Sequence, residues 1–242
     1  MRLIFIRHGD PDYVHDSLTE RGWQEARLLS ERISKLDVKE YFVSPLGRAK
    51  DTASFTLEKA GRTAIEQEWL KEFPVRVTKP YVENKDGIAW DWLPQVWTQR
   101  ENFFDKDHWF EEEEFTSKGT KEEYLRVCGE FDKLLAKLGY VRDGYIYRAE
   151  RPNRDTYVFF CHYGITILLL SHLINVSPMT LWHGIVLAPT SVTSIYTEER
   201  RKGIASFRAN TIGDTYHLYA GGAEPSFQAR FCETYDSGER RD

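Results

Sequence analysis

Two apolar runs far apart in the chain end alike. Residues 3–6, LIFI, lead directly into Arg7-His8-Gly9, and residues 156–161, TYVFFC, lead into His162-Tyr163-Gly164. Each run has the length and continuity of a buried strand. The glycine after each imidazole lets the backbone turn tightly and come close to a ligand. If both strands lie in one parallel sheet, both imidazoles stand at its carboxyl edge, where open α/β sheets bind ligands.

The intervening sequence supports such a sheet. SLTERGWQEARLLSERISKL carries Trp23, Ala26, Leu29, Ile33 and Leu36 at a helical period, with Thr19 at the capping position. YFVSP reads as a second strand and LGRAKDTASFTLEKAG as a helix stopped by Gly61. A third long helix covers KEEYLRVCGEFDKLLAKLG, and HYGITILLLSHLI follows the TYVFFC strand as another. TSVTSIYTEE and IASFRANTIGD read as late strands, and GERRD as a loose tail. This alternation predicts an α/β fold, three layers α/β/α around a mainly parallel central sheet. No repeat or low-complexity linker divides residues 1–242, so a single domain is expected. Residues 73–120 interrupt the rhythm with a Trp-rich insertion, expected either to wall or cover the site or to form a hydrophobic cluster of its own.

Arg48, in SPLGRAKDTA, falls in the first turn of the helix after the second strand, again at the carboxyl edge. Two guanidiniums and two imidazoles at one edge repel one another unless an anion lies between them. A phosphoryl group fits, because its oxygens accept forked hydrogen bonds from arginine. His8 and His162 lack zinc-ligand spacing and have cationic neighbours, which disfavours a metal. His15, His108, His172, His183 and His217 have no comparable setting, and structural roles are expected for most of them.

Bulk composition narrows the field. A net charge of -5 argues against a nucleic-acid binder or an anionic-membrane binder, which would need a broad basic face. Cys128, Cys161 and Cys232 are too sparse for a disulfide framework, which suits a reducing compartment. The apolar stretch in MRLIFIRHG is too short for a signal-peptide core, and Ile165–Ile174 is about half a membrane span. A cytoplasmic protein with no nucleic-acid or membrane partner is therefore expected; the sequence leaves the oligomeric state open.

Several stretches, in order, resemble the histidine phosphatase superfamily, also called phosphoglycerate mutase-like. They are Arg7-His8-Gly9, LTERGWQEA, SPLGRAKDTA, WLKEF, VFFCHYG and ANTIGDTYHL, spanning residue 2 to about 219. LTERGWQEA resembles the segment LT-x-x-G-x-x-Q-A, with Gln24 matched to its Gln at one residue fewer. The resemblance implies a phosphoglycerate mutase-like fold and phosphoryl transfer through a phosphohistidine on His8. Arg7, Arg48 and His162, with His8, would hold the phosphate, and Glu72 would serve as proton donor and acceptor. Asp10, Glu68 and Glu83 compete for that last role. The implied enzyme is a histidine acid-type phosphatase that needs no metal and no cofactor, acting on a small phosphorylated metabolite.

Departures from the pattern bear on substrate. Asp10 and Pro11 follow the triplet where many members have Glu-Thr or Glu-Ser, and Val14 stands where they carry Asn. In place of the mutases' Arg-Arg pair and Lys, the insertion offers only Arg76, Lys79 and Arg100, scattered. A phosphatase is favoured over a mutase; a non-catalytic phospho-ligand scaffold is the third reading. If the insertion walls the site, Trp90, Trp92 or Trp97 would touch the leaving group.

Overall fold

The computed structural model describes residues 1–83 and 85–241. The chain opens with β1 (Arg2–Arg7), a small ladder of β2 (Pro11–Asp12) and β3 (Ser17–Leu18), and α1 (Glu20–Ile33). Next come β4 (Glu40–Val43), α2 (Gly47–Ala60) and β5 (Ala64–Glu66). The insertion holds β6 (Arg76–Thr78), β7 (Asp86–Ile88), α3 (Pro94–Trp97) and α4 (Glu113–Thr116). The remainder runs α5 (Thr120–Lys137), β8 (Tyr140–Asp143), β9 (Ile146–Ala149), β10 (Thr156–Cys161), α6 (Tyr163–Ile174) and α7 (Pro178–Gly184). It closes with β11 (Val192–Arg201), β12 (Ile204–Asp214) and α8 (Tyr216–Ala220).

Eight strands form one sheet in the order β5-β4-β10-β1-β11-β12-β9-β8. The four from β5 to β1 are parallel; β11, β12, β9 and β8 extend the sheet antiparallel. The expected α/β/α architecture is present, and its sheet is mixed, with the parallel half carrying the strand tips singled out in the sequence. The hairpin β8–β9, turning at Gly144 with φ of 57°, is an element the sequence reading did not anticipate.

Alternation along the central strands feeds two cores. Ile4, Ile6, Val158 and Phe160 face Leu29, Ile33, Ala49 and Ala53 of α1 and α2. Leu3, Phe5 and Phe159 face the other way, with Phe131 and Leu135 of α5 and the apolar face of α6. Both helix ends named in the sequence behave as expected. The Thr19 side chain accepts the N–H of Gly22, and Gly61 closes α2 in the left-handed region at φ 61°.

The insertion's aromatics are no separate cluster. Phe73, Trp90, Trp92, Trp109 and Phe115 are buried in the core that α5 and α6 share. Trp109 meets Trp182 of α7 edge to face at 5.6 Å, and Trp92 meets Phe103 likewise at 5.2 Å. The expected loose tail is also tied down. Arg240 donates to the Asp91 carboxylate, and the Cys232 N–H to the Arg240 carbonyl. Asp242 lies outside the described residues. Among the described residues no helix is long and apolar enough to cross a membrane.

Candidate active site

Register brings the two histidines together. β1 and β10 pair in parallel with Arg7 opposite Cys161, so the residue after each strand is a histidine at the same level. The His8 N–H donates to the Cys161 carbonyl at 2.9 Å, and the imidazole centroids lie 5.2 Å apart. β4, on the far side of β10, ends at the same height, where the Ser44 N–H donates to the Phe160 carbonyl. Ser44 Oγ is 2.7 Å from His162 Nε2. Three adjacent parallel strands thus deliver Ser44, His162 and His8 to one edge.

His8 has a fixed tautomer. Its Nδ1 lies 2.7 Å from the Gly9 carbonyl, which can only accept, so Nδ1 carries the hydrogen and Nε2 keeps a lone pair. Burial, reinforced by the charge of Arg7, holds the His8 pKa well below 6.5. His162 is depressed in the same direction by burial, with His8, Arg48 and Arg7 adding to the effect. Both rings are therefore neutral near pH 7.

Arg7 anchors through Nη1 to the Leu187 carbonyl at 2.6 Å, with its Cζ 5.8 Å from the centre of the Tyr163 ring. Arg48 reaches the edge from the first turn of α2. Asp16 positions it: one carboxylate oxygen accepts from Arg48 Nη1 at 2.5 Å, the other from the Gly47 N–H at 2.7 Å. Asp16 thereby caps a helix whose own N-cap residue, Leu46, has no side chain to do so. Gly47 is required here, because a Cβ would fall 2.1 Å from the Asp16 carbonyl oxygen. Arg7 Nε, Arg48 Nε and His162 Nδ1 are buried with no hydrogen-bond partner among the described residues. Buried polar groups seek partners, and Arg7 Nε and Arg48 Nε, as donors, are suited to the oxygens of an anion.

Glu72 stands at the N-terminus of α6. Its Oε1 accepts the N–H groups of Ile165 at 3.0 Å and Phe73 at 3.1 Å. Burial raises its pKa above 4.5, opposed by those N–H groups and by Arg7. Gly164 makes the approach feasible, since a Cβ there would lie 2.4 Å from the Trp90 ring and 2.8 Å from Glu72 Oε1. The competing carboxylates are otherwise engaged or exposed. Asp10 accepts from the hydroxyls of Thr19 and Ser226, and Glu68 pairs with Lys71 at the surface.

The five residues named from sequence, Arg7, His8, Arg48, Glu72 and His162, therefore share one bowl at the carboxyl edge of the parallel strands. Ser44, Asp16 and Thr52, whose Oγ1 accepts the Gly9 N–H at 2.8 Å, were not anticipated. One match is corrected. Gln24 is exposed, whereas Glu25, seven residues after Leu18 where the quoted segment has its Gln, is buried and accepts the Asp10 N–H at 2.9 Å. Trp90 and Trp92 are buried, Trp97 partly so, stacked on His183 at 4.9 Å. Val14, by contrast, is 88% exposed.

The sequence profile of the histidine phosphatase superfamily (branch 1) matches residues 3–210. The chain belongs to that superfamily. Among solved structures it is similar to a His-to-Ala mutant of phosphoserine phosphatase from Entamoeba histolytica in complex with phosphoserine. That match has 19% identity and a TM-score of 0.58, covering 90% of this chain and 98% of the other. It is similar also to a mycobacterial glucosyl-3-phosphoglycerate phosphatase, at 19% identity and a TM-score of 0.57, covering 88% and 98%. The alpha-ribazole phosphatase from Shigella flexneri matches at 19% identity and a TM-score of 0.55, covering 89% and 97%. No sequence among curated proteins matches this chain.

Proposed function

We propose that the protein is a phosphatase that hydrolyses a phosphomonoester through a phosphohistidine on His8. The observation that carries this reading is the His8 tautomer: Nδ1–H is held by the Gly9 carbonyl, leaving Nε2 as an unprotonated nucleophile amid Arg7, Arg48 and His162. Membership of the superfamily and the phosphatase names of similar structures agree with it.

In the first step Nε2 attacks phosphorus in line, the N–P bond forms, and the ester P–O bond breaks. Glu72, protonated through its raised pKa, gives its proton to the departing oxygen. Arg7, Arg48 and His162 stabilise charge on the equatorial oxygens, the largest contribution expected in phosphoryl transfer. In the second step the Glu72 carboxylate takes a proton from water, water attacks phosphorus, and the N–P bond breaks to return neutral His8. The donors that hold the phosphoryl group are all protein groups, so this chemistry runs without a metal ion. The substrate class is a small phosphorylated metabolite, and the chain acts as a single domain whose insertion forms one wall beside the bowl.

Turnover of p-nitrophenyl phosphate with EDTA present, abolished in His8→Ala, is the direct test. Acid-labile, base-stable labelling of wild type by the phosphoryl group is the expected signature of the intermediate. Tight phosphate binding without turnover would replace this reading with a binding scaffold.

A further inference from the structure

Beside the bowl lies a second cavity of about 930 Å³, between the insertion, the end of α7 and the C-terminal segment. Arg7, His8, Arg48, Glu72 and His162 do not line it; Tyr163 does. This residue, next after His162, is locked in place as its hydroxyl donates to the carbonyls of Trp182 at 2.6 Å and Ile185 at 3.0 Å. Its ring forms a partition, with the Arg7 guanidinium 5.8 Å from its centre.

The lining has a definite chemistry. Aromatic side chains line it: the buried rims of Trp92 and Trp182, and the more accessible rings of Trp97, Tyr81 and Phe231. Arg76, Lys79, Lys85, Arg240 and Arg241 bring five cationic side chains against the two carboxylates of Asp86 and Asp91. In a chain of net charge -5 such a local excess of positive charge is a departure from the average surface. Lys79 is only 9% exposed, with its ammonium donating to the Asp91 carbonyl at 2.8 Å. A buried ammonium with aromatic neighbours is suited to a ligand that is both flat and negative, through stacking and charge-assisted hydrogen bonds.

We propose that this cavity binds a planar, negatively charged organic group, separately from the phosphate held in the bowl. Two sources share that chemistry: the far end of a phosphomonoester whose phosphate lies beyond Tyr163, or an independent small-molecule anion. The first source rests on the phosphatase reading and the second does not, and binding to the cavity is measured without turnover in either case.

The test uses the full chain and calorimetric titration with naphthalene-1-sulfonate, with naphthalene-1-methanol as its neutral counterpart. Expected are saturable binding of one sulfonate per chain, about tenfold weaker binding of the alcohol, and no displacement of the sulfonate by orthovanadate. The exposed pair Arg76→Glu, Lys85→Glu should weaken the sulfonate about tenfold while leaving p-nitrophenyl phosphate turnover unchanged. Trp97→Ala, which alters stacking and no charge, should weaken both naphthalenes. The proposal is overturned if the sulfonate does not saturate, if the alcohol binds as well, if vanadate displaces it, or if both variants bind like wild type. A rise in KM for 1-naphthyl phosphate but not phenyl phosphate in Trp97→Ala identifies the far end of the substrate. Unchanged KM for both, with sulfonate binding lost, identifies a separate anion.

Discussion

Glu72 Oε1 accepts the backbone N–H of Ile165 at 3.0 Å, in the first turn of the helix that begins one residue after His162. The proposed proton donor is thus fixed to the same turn as one of the two imidazoles proposed to act on the phosphate. A carboxylate here gains from the helix dipole, yet burial outweighs that gain and keeps its proton affinity high.

Glu72→Gln retains an acceptor for those N–H groups and removes the transferable proton. It should lower kcat by about 10²–10⁴-fold for alkyl phosphates, the usual range for one general acid. The loss should be much smaller for p-nitrophenyl phosphate, whose leaving group departs without protonation. Steady-state kinetics on both substrates is the measurement, and equal losses would make Glu72 a positioning residue only.

The pH profile follows from two opposite shifts. His8 is depressed well below 6.5 by burial and Arg7, so the nucleophile stays unprotonated as the solution is acidified through that value. Glu72 is raised above 4.5, so its protonated form persists to higher pH than an ordinary carboxyl and is lost as pH climbs through the raised value. The acid limb of kcat/KM should therefore lie below pH 6.5 and the basic limb should disappear in Glu72→Gln. An acid limb at or above 6.5 would contradict this assignment.

Stability carries the same signature. His162 is neutral in the folded chain and takes up a proton below about 6.5 once unfolded, so its native environment opposes folding increasingly as pH falls below 6.5. Glu72 and Glu25, both raised by burial, act with the opposite sign, their contribution falling as pH rises above 4.5. Comparing wild type with His162→Asn isolates the imidazole. In phosphate-free buffer the melting temperature of wild type should drop relative to the variant between pH 7 and 5; parallel curves would refute the shift.

Gly164→Ala places a methyl group 2.4 Å from the Trp90 ring and 2.8 Å from Glu72 Oε1. Overpacking of this kind costs about 1–3 kcal/mol, and the displaced carboxylate should lose much of its catalytic effect. Thermal unfolding and kcat should fall together, whereas Gly61→Ala, with open space around it but φ at 61°, should cost stability alone.

Ser226, in the C-terminal segment, donates to Asp10 Oδ1 at 2.5 Å, two residues from His8. Ser226→Ala leaves a buried carboxylate oxygen one donor short, at a cost of about 1–3 kcal/mol. Limited proteolysis should cut residues 223–241 faster in the variant, and unchanged digestion would show that other contacts hold the segment.

What could be read in the sequence and what could not divides on physical grounds. The strand tips were legible because unbroken apolar runs ending in Arg7-His8 and His162 constrain both burial and direction. Arg48 was legible from its place in the first turn of α2. Ser44 and Thr52 were not, since their roles depend on strand register and on a loop approaching a helix face. Asp16 was hidden by its backbone: with φ at 48°, its reach to Gly47 and Arg48 is set by an unusual turn and not by spacing. Glu25 was passed over for Gln24 because a one-residue slip on a helix turns the side chain by about 100°. Ser226 and Asp10 are 216 positions apart, a contact that no local pattern reveals.

Arg7 opposite Cys161 joins strands separated by some hundred and fifty residues of chain. A strand shifted by one step would carry its imidazole about 3.3 Å along the sheet and turn it to the other side. No fragment that lacks either strand can therefore possess the paired rings. Recovery of phosphatase activity during refolding would report closure of that one distant seam.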